Sequence, residues 1–263
     1  MGIFASVGRG ASERLRSMWT GMAFLGETSV CALAALVHPR RFRFGDSALA
    51  FQRASFDGIP VTVGVGFLLG VILAFQCAAA LRAFGVEVYV SDMLAIALFR
   101  ELGPVVTAII LAGRTGSAFA AEIGTMKTNE ELDALTTMGL APVRFLVLPR
   151  VVAAAAAMPA LTIFAELAGL AGGATVLSTM GVPPRVFWSH VTDATTLSMI
   201  VFGTAKATFF GLVVGLIGCS EGMRTKSTAD GVGRAATGAV VGAIVAIALL
   251  DGIIAVIADL WGV

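Results

Sequence analysis

Charge is scarce in this 263-residue chain: 13% of its residues are charged and 57% are hydrophobic, with a mean hydropathy of +0.92. That excludes a soluble domain of this size. No G-x-x-x-x-G-K-[ST] phosphate loop and no H-E-x-x-H pair occurs, so no nucleotide or zinc site is recognisable in the chain. Work driven by ATP would have to draw on a partner. The three cysteines, Cys31, Cys77 and Cys219, stand far apart in apolar segments, outside any C-x-x-C or Cys/His spacing. They read as small buried residues rather than metal ligands or a disulfide. Both histidines, His38 and His190, lie outside the apolar runs, which leaves Ser117 in GRTGSA without a partner for an intramembrane hydrolase. A net charge of +1 gives no argument for nucleic acid.

What the chain does have is long apolar sequence. A helix needs about 20 residues to cross a hydrocarbon core of about 30 Å. Five runs qualify: Ile59 to Leu81, Met93 to Ala121, Val151 to Val182, Thr195 to Ser220 and Ala235 to Ala258. The expected fold is therefore an all-α polytopic membrane protein. Basic residues alternate between the connections. Arg9, Arg14, Arg16, Arg40, Arg41, Arg43 and Arg53 precede the first run, Lys127, Arg144 and Arg150 follow the second, and Arg224, Lys226 and Arg234 follow the fourth. The rule that cytoplasmic loops carry the excess of Lys and Arg places the N-terminus and these loops in the cytoplasm and the C-terminus outside.

The N-terminal segment, residues 1–56, precedes a membrane domain at 57–263. Within it, Met18 to Val37 is apolar but short, contains Glu27 and has arginines on both sides. It can be read as a signal peptide, a sixth span or a helix lying in the interface. Cleavage at a signal site would leave an arginine-rich N-terminus behind, and crossing would translocate one basic cluster, so the interfacial helix fits best. Glycines recur four apart in most spans: Gly66 and Gly70, Gly169 and Gly173, Gly211 and Gly215, Gly238 and Gly242. Such pairs let helices approach closely in lipid, within the chain or against a second copy.

Five ionisable residues fall inside the runs away from their ends: Arg100, Glu101, Glu166, Lys206 and Asp251. Each costs about 2.5–3.5 kcal/mol at mid-bilayer on insertion scales, so they must face one another, a polar cavity or the protein interior. Their signs nearly balance, which favours a network of ion pairs. Such a network either staples helices together or exchanges partners during transport. In FRELGP, residues 99–104, Pro104 and Gly103 permit a kink directly after the charges.

Between the second and third runs lies KTNEELDALTTMGLAPVRFLVLPR, residues 127–150. Thr128 followed by Glu131 fits a capping box, Glu130, Glu131 and Asp133 suit the first turn of a helix, and Gly139 can close it. Leu132, Leu135 and Met138 form an apolar stripe. So short a helix must dock, either on its own membrane domain or on a soluble partner such as an ATPase.

The run from Phe99 to Arg150 resembles the signature region of MlaE/YrbE permeases, the membrane subunits of ABC systems that move lipids together with MCE-domain proteins. The matching blocks are RELGPV, AGR with AEIGTMK, LDAL-x-x-MG-x-x-P-x-R, and PR at the head of the next run; SEGMRTKSTADGVGRAAT resembles the family's last cytoplasmic loop. The likeness runs from about residue 50 to the end. It implies a homodimer in a bacterial inner membrane, with a lipid cavity at its interface near Arg100, Glu101, Lys206 and Asp251. It also implies a separate ATPase that binds the ATP and receives a coupling helix at about 128–140, an MCE-domain periplasmic protein and a small STAS-type regulatory subunit. The stretch Pro183 to Asp193 would be a periplasmic helix beside the MCE ring. The first run, the only one free of charge, is the expected apolar cavity wall, with Val65, Leu68, Leu69, Ile72, Phe75 and Gln76 as candidate lining. The alternative to a lipid permease is a proton-coupled secondary transporter that uses Glu101, Lys206 and Asp251 as a relay.

Overall fold

A computed structural model describes residues 21–34 and 44–261. Arg9, Arg14, Arg16, Arg40, Arg41, Arg43, His38 and both ends of the Met18–Val37 segment lie outside those residues. The described residues are mostly helical, without strands, and five helices are long and apolar enough to cross a membrane. These rods run Phe44–Leu81, Glu87–Thr128, Val143–Thr179, Leu197–Met223 and Ala229–Leu260. All exceed the length a bilayer requires, which leaves them room to tilt in it or to project beyond it.

The first rod is two helices in series, α2 (Phe44–Phe56) and α3 (Ile59–Leu81), joined at Asp57-Gly58. An apolar helix, α1 (Gly21–Ala34 among the described residues), precedes them. Its Thr28 is buried, Phe24 and Cys31 pack on the core, and Met22, Leu25, Val30 and Leu33 are exposed, as suits a helix lying in the interface. The helix α2 was not expected.

The second rod strings α4 (Val90–Ala97), α5 (Gly103–Leu111) and α6 (Ser117–Thr128) together through two π-helical turns, Leu98–Leu102 and Ala112–Gly116. A seven-residue helix, α7 (Glu131–Thr137), and a third π turn, Val143–Val147, lead into α8 (Leu148–Thr179). Then follow α9 (Pro184–Ala194), α10 (Leu197–Met223) and α11 (Ala229–Trp261). Proline opens α9, as expected for an external helix; the third span ends at Thr179, before the expected Val182, because Gly181 turns the chain at φ 91°.

The central element is α8, which packs along α3 on one side and α10 on the other. The reason is legible on α3: Thr62, Gly66, Gly70, Ala74 and Ala78, four apart, form a small-residue face that lies buried. A Cβ on Gly70 would stand 1.8 Å from the Gly169 carbonyl oxygen, so only glycine permits this approach. With no hydrophobic drive between helices in lipid, such contact supplies the packing energy. Gly211 and Gly215 do the same for α10 on α8, while Gly238 and Gly242 face Glu221 and Ile217 of α10. These pairs all work within the chain.

Candidate functional site

Three of the five intramembrane charges meet. The Lys206 ammonium, on α10, contacts Glu101 Oε2 in the first π turn and lies 2.6 Å from Asp251 Oδ1 on α11. The lysine side chain is 1% exposed, against 33% for Glu101 and 25% for Asp251. The Phe210 ring, one turn further along α10, sits 6.0 Å from the ammonium. Spans two, four and five are thereby tied at one level by a triad with a formal charge of −1 when all three groups are ionised. Such a group can hold a bundle together, release one carboxylate to another cation, or accept a proton.

Local backbone shape makes the meeting possible. A π turn inserts one extra residue and widens the helix, and here it carries Glu101 toward α10. On the α10 side, a Cβ on Gly203 would stand 2.0 Å from the Phe99 carbonyl oxygen, so the missing side chain lets α10 rest on the widened turn.

The remaining two charges do not join. Arg100 is half-buried and forms no ion pair among the described residues. Neighbours on a helix point about 100° apart, so with Glu101 aimed at Lys206 its neighbour must face elsewhere. Glu166, 3% exposed, lies against Gly103 and also lacks an ion partner among the described residues. One turn toward the basic loops, Thr62, Thr107 and Thr162 bury hydroxyls that make no hydrogen bond, so this corner between α3, α5 and α8 is polar as well as closed.

The loop helix differs from expectation at its start. Thr128 ends α6, its hydroxyl donating to the Gly124 carbonyl 2.9 Å away, so no capping box with Glu131 forms. The chain reverses through Glu130, at φ 59°, and α7 begins at Glu131 with no side-chain cap; Asp133 is exposed in its first turn. Its end is as expected: Gly139, at φ 74°, donates to the Thr136 carbonyl and Leu140 to that of Leu135, the paired bonds of a glycine C-cap. Leu132 is buried and Leu135 half-buried against the chain's own core, whereas Met138 is 65% exposed. The stripe is thus divided between an internal contact and a free one. Lys127 donates to the Met223 carbonyl at 2.7 Å, which fastens this loop to the end of the fourth span.

On α3, Val65, Leu68, Ile72, Phe75 and Gln76 all face outward, opposite the small-residue face; Leu69 alone of the six candidates packs inward. At the end of the bundle away from the basic loops, His190 Nδ1 of α9 lies 3.0 Å from Asp92 Oδ1 of α4, with Tyr89 edge-on to the imidazole. No sequence pattern signalled that pair. Outside the spans, burial and the Glu27 carboxylate push the Cys31 thiol above its usual range, opposed by Arg144, which places α1 beside the third π turn. All three cysteines are free; Cys219 is buried, and Cys31 and Cys77 are half-buried.

Residues 49–257 match the family described as Permease MlaE. A probable ABC transporter permease protein of Synechocystis is 39% identical over 186 residues, 70% of each chain. The intermembrane phospholipid transport system permease protein MlaE of Haemophilus influenzae is 38% identical over 194 residues, 73% of this chain and 74% of that one. The chloroplastic protein TRIGALACTOSYLDIACYLGLYCEROL 1 of Arabidopsis thaliana is 35% identical over 238 residues, 89% of this chain and 67% of that one. The family match over most of the chain, the breadth of these similarities and the five-span helical bundle agree: the chain belongs to the MlaE permease family of ABC transporter permeases.

Proposed function

We propose that the chain moves phospholipid across or out of a bacterial inner membrane, as one half of a homodimer whose lipid cavity opens between the two copies. A separate ATPase binds the ATP and receives α7, an MCE-domain protein takes or delivers the lipid outside, and a small STAS-type subunit regulates the assembly. The basic loops face the cytoplasm together with the N-terminus, and the C-terminus lies outside.

The observation that carries this reading is the Glu101–Lys206–Asp251 triad. Helices in lipid can be fastened by glycines alone, as α3 is to α8; three charges at bilayer depth are an expensive addition that a transport cycle can use. Two features support it. The outward face of α3 offers lipid tails an apolar wall, and the exposed Met138 offers a soluble partner an apolar contact beside the end of span two. The Haemophilus relative is named for phospholipid transport. The test is lipid transfer from proteoliposomes that contain the chain with its ATPase. Transfer should require ATP and fall at least tenfold in Asp251→Asn at equal protein level.

Two carboxylates on one ammonium also suit proton coupling, the second reading. Transfer driven by a proton gradient, with the ATPase omitted, would establish that reading and overturn the first.

A further inference from the structure

About 20 Å from the triad, toward the basic loops, α2 leans over spans two and three and encloses a cavity of about 370 Å³. Its wall is apolar, with Leu49, Phe119 and Leu146 among the lining residues, and its rim is charged. Three guanidiniums line it, Arg53, Arg114 and Arg150, together with three carboxylates, Asp46, Asp57 and Glu122.

These groups are not equally engaged. Arg150 is spent: Nη2 and Nε donate to Glu122 Oε2 at 3.0 and 3.4 Å, and Nη1 donates to the Leu146 carbonyl at 3.1 Å. Arg53 touches the same glutamate only at 3.9 Å, and Arg114 makes a single 3.2 Å contact with Asp57. Each guanidinium carries five N–H donors, so Arg53 and Arg114 keep most of theirs for a guest. Asp57, largely exposed, keeps acceptor capacity beside them.

The depth of the cavity is fixed by where charge stops. Asp57 immediately precedes the charge-free α3, and Arg150 stands on the first turn of α8, ahead of its apolar length. Arg114 follows the apolar α5 in the second π turn. From Met93 to Gly113 the second span measures about 30 Å, one hydrocarbon thickness. The cavity mouth therefore lies at the headgroup level of the leaflet on the basic side, where a guest with a polar head and an apolar neighbour is at hand.

We propose that this cavity binds the headgroup of a zwitterionic phospholipid in that leaflet, at a site separate from the transport cavity. The phosphate meets Arg53 and Arg114, which match phosphate oxygens in pairs. The ammonium of the headgroup meets Asp57 and the free side of Glu122. Asp57 and Glu122 stand beside the two arginines, so a head with both a phosphate and an ammonium finds an opposite charge for each, whereas an anionic head without an ammonium is set against the carboxylates. A volume near the lower end of ligand pockets admits a headgroup and the start of its chains, not a whole lipid. The site takes from the transport reading only the membrane orientation, and its occupancy is measured without turnover, so its failure would leave that reading standing.

The full chain, purified in detergent, is titrated with dihexanoyl phosphatidylethanolamine, dihexanoyl phosphatidylglycerol or free phosphoethanolamine, and bound ligand is counted by native mass spectrometry. Phosphatidylethanolamine should bind at least tenfold tighter than either of the others. Arg53→Ala with Arg114→Ala should lose that preference, while Arg185→Ala, an exposed arginine on α9 at the other end of the bundle, should keep it. Ala118→Trp, at an exposed lining position, fills the cavity without touching the arginines and should lose it too. Unchanged binding in both cavity variants overturns the site. Tighter binding of phosphatidylglycerol overturns the zwitterion, and equal binding of free phosphoethanolamine overturns the lipid.

Discussion

Replacing Lys206 by methionine keeps the shape of the side chain and removes the one cation between two carboxylates. Breaking a buried ion pair by deleting one partner costs about 3–5 kcal/mol, because the remaining charge stays buried without compensation. Here two carboxylates remain, each at most one-third exposed, and they face each other across the vacated position. At about 2–4 °C per kcal/mol for a chain of this size, the melting temperature in detergent should fall on the order of 10 °C. Neutralising all three groups together, as Glu101→Gln, Lys206→Met and Asp251→Asn, leaves hydrogen-bonding or apolar groups of similar volume and no stranded charge. Exchanges of that kind are often neutral or better for stability. The triple variant should therefore recover most of the lost melting temperature while its lipid transfer stays at least tenfold down. A single variant that melts with wild-type protein would falsify the compensation argument. A triple variant that transports normally would reduce the triad to a fastener.

Met138→Glu places a charge on the exposed end of the α7 stripe, where burial on a partner would be worth about 1–2 kcal/mol, so ATPase binding measured by pull-down should weaken at least tenfold with no change in melting temperature. Leu135→Glu does not isolate that contact, because Leu135 also packs on the chain's own core, and it should lower both binding and stability. Gly70→Val drives side-chain atoms into the Gly169 carbonyl, and folded protein recovered by size-exclusion chromatography should drop several-fold; normal recovery would contradict the close approach of α3 and α8. Lys127→Met removes a charged hydrogen bond to the Met223 carbonyl, worth about 1.5–3 kcal/mol, and should lower the melting temperature by several degrees.

The spans were legible because apolar length is a direct physical requirement of the bilayer, and the pairing of Lys206 with Asp251 because opposite charges at one depth on adjacent spans have few alternatives. Arg100 was grouped with Glu101 by position in sequence, yet a helix separates neighbours by about 100°. Nothing in FRELGP says which of the two turns inward. The π turns left no trace either, since one inserted residue does not alter an already apolar run. Thr128 shows a different limit: the pattern S/T-x-x-E does not distinguish the start of a helix from the end of the one before, and here α6 claims the threonine. The helix α2 was hidden by its own charges. Asp46 and Arg53, with Asp57 just beyond, interrupt the hydropathy, although Ala54, Ser47 and Ser55 bury as a small-residue face. The same charges line the cavity, and of the three only Arg53 had been used in the sequence, to orient the chain.

A π turn holds one residue in surplus, and surplus residues can migrate along a helix much as a fold moves along a carpet. One step at Leu98–Leu102 would rotate the neighbouring turn by about 100° and bring Arg100 where Glu101 stands. That would set a guanidinium against the Lys206 ammonium in a nearly dry site, a like-charge contact the bundle cannot tolerate. The adjacent pair of opposite charges thus acts as a detent on the second span. It holds the bulge at one notch, with Glu101 rather than Arg100 set against the Lys206 ammonium.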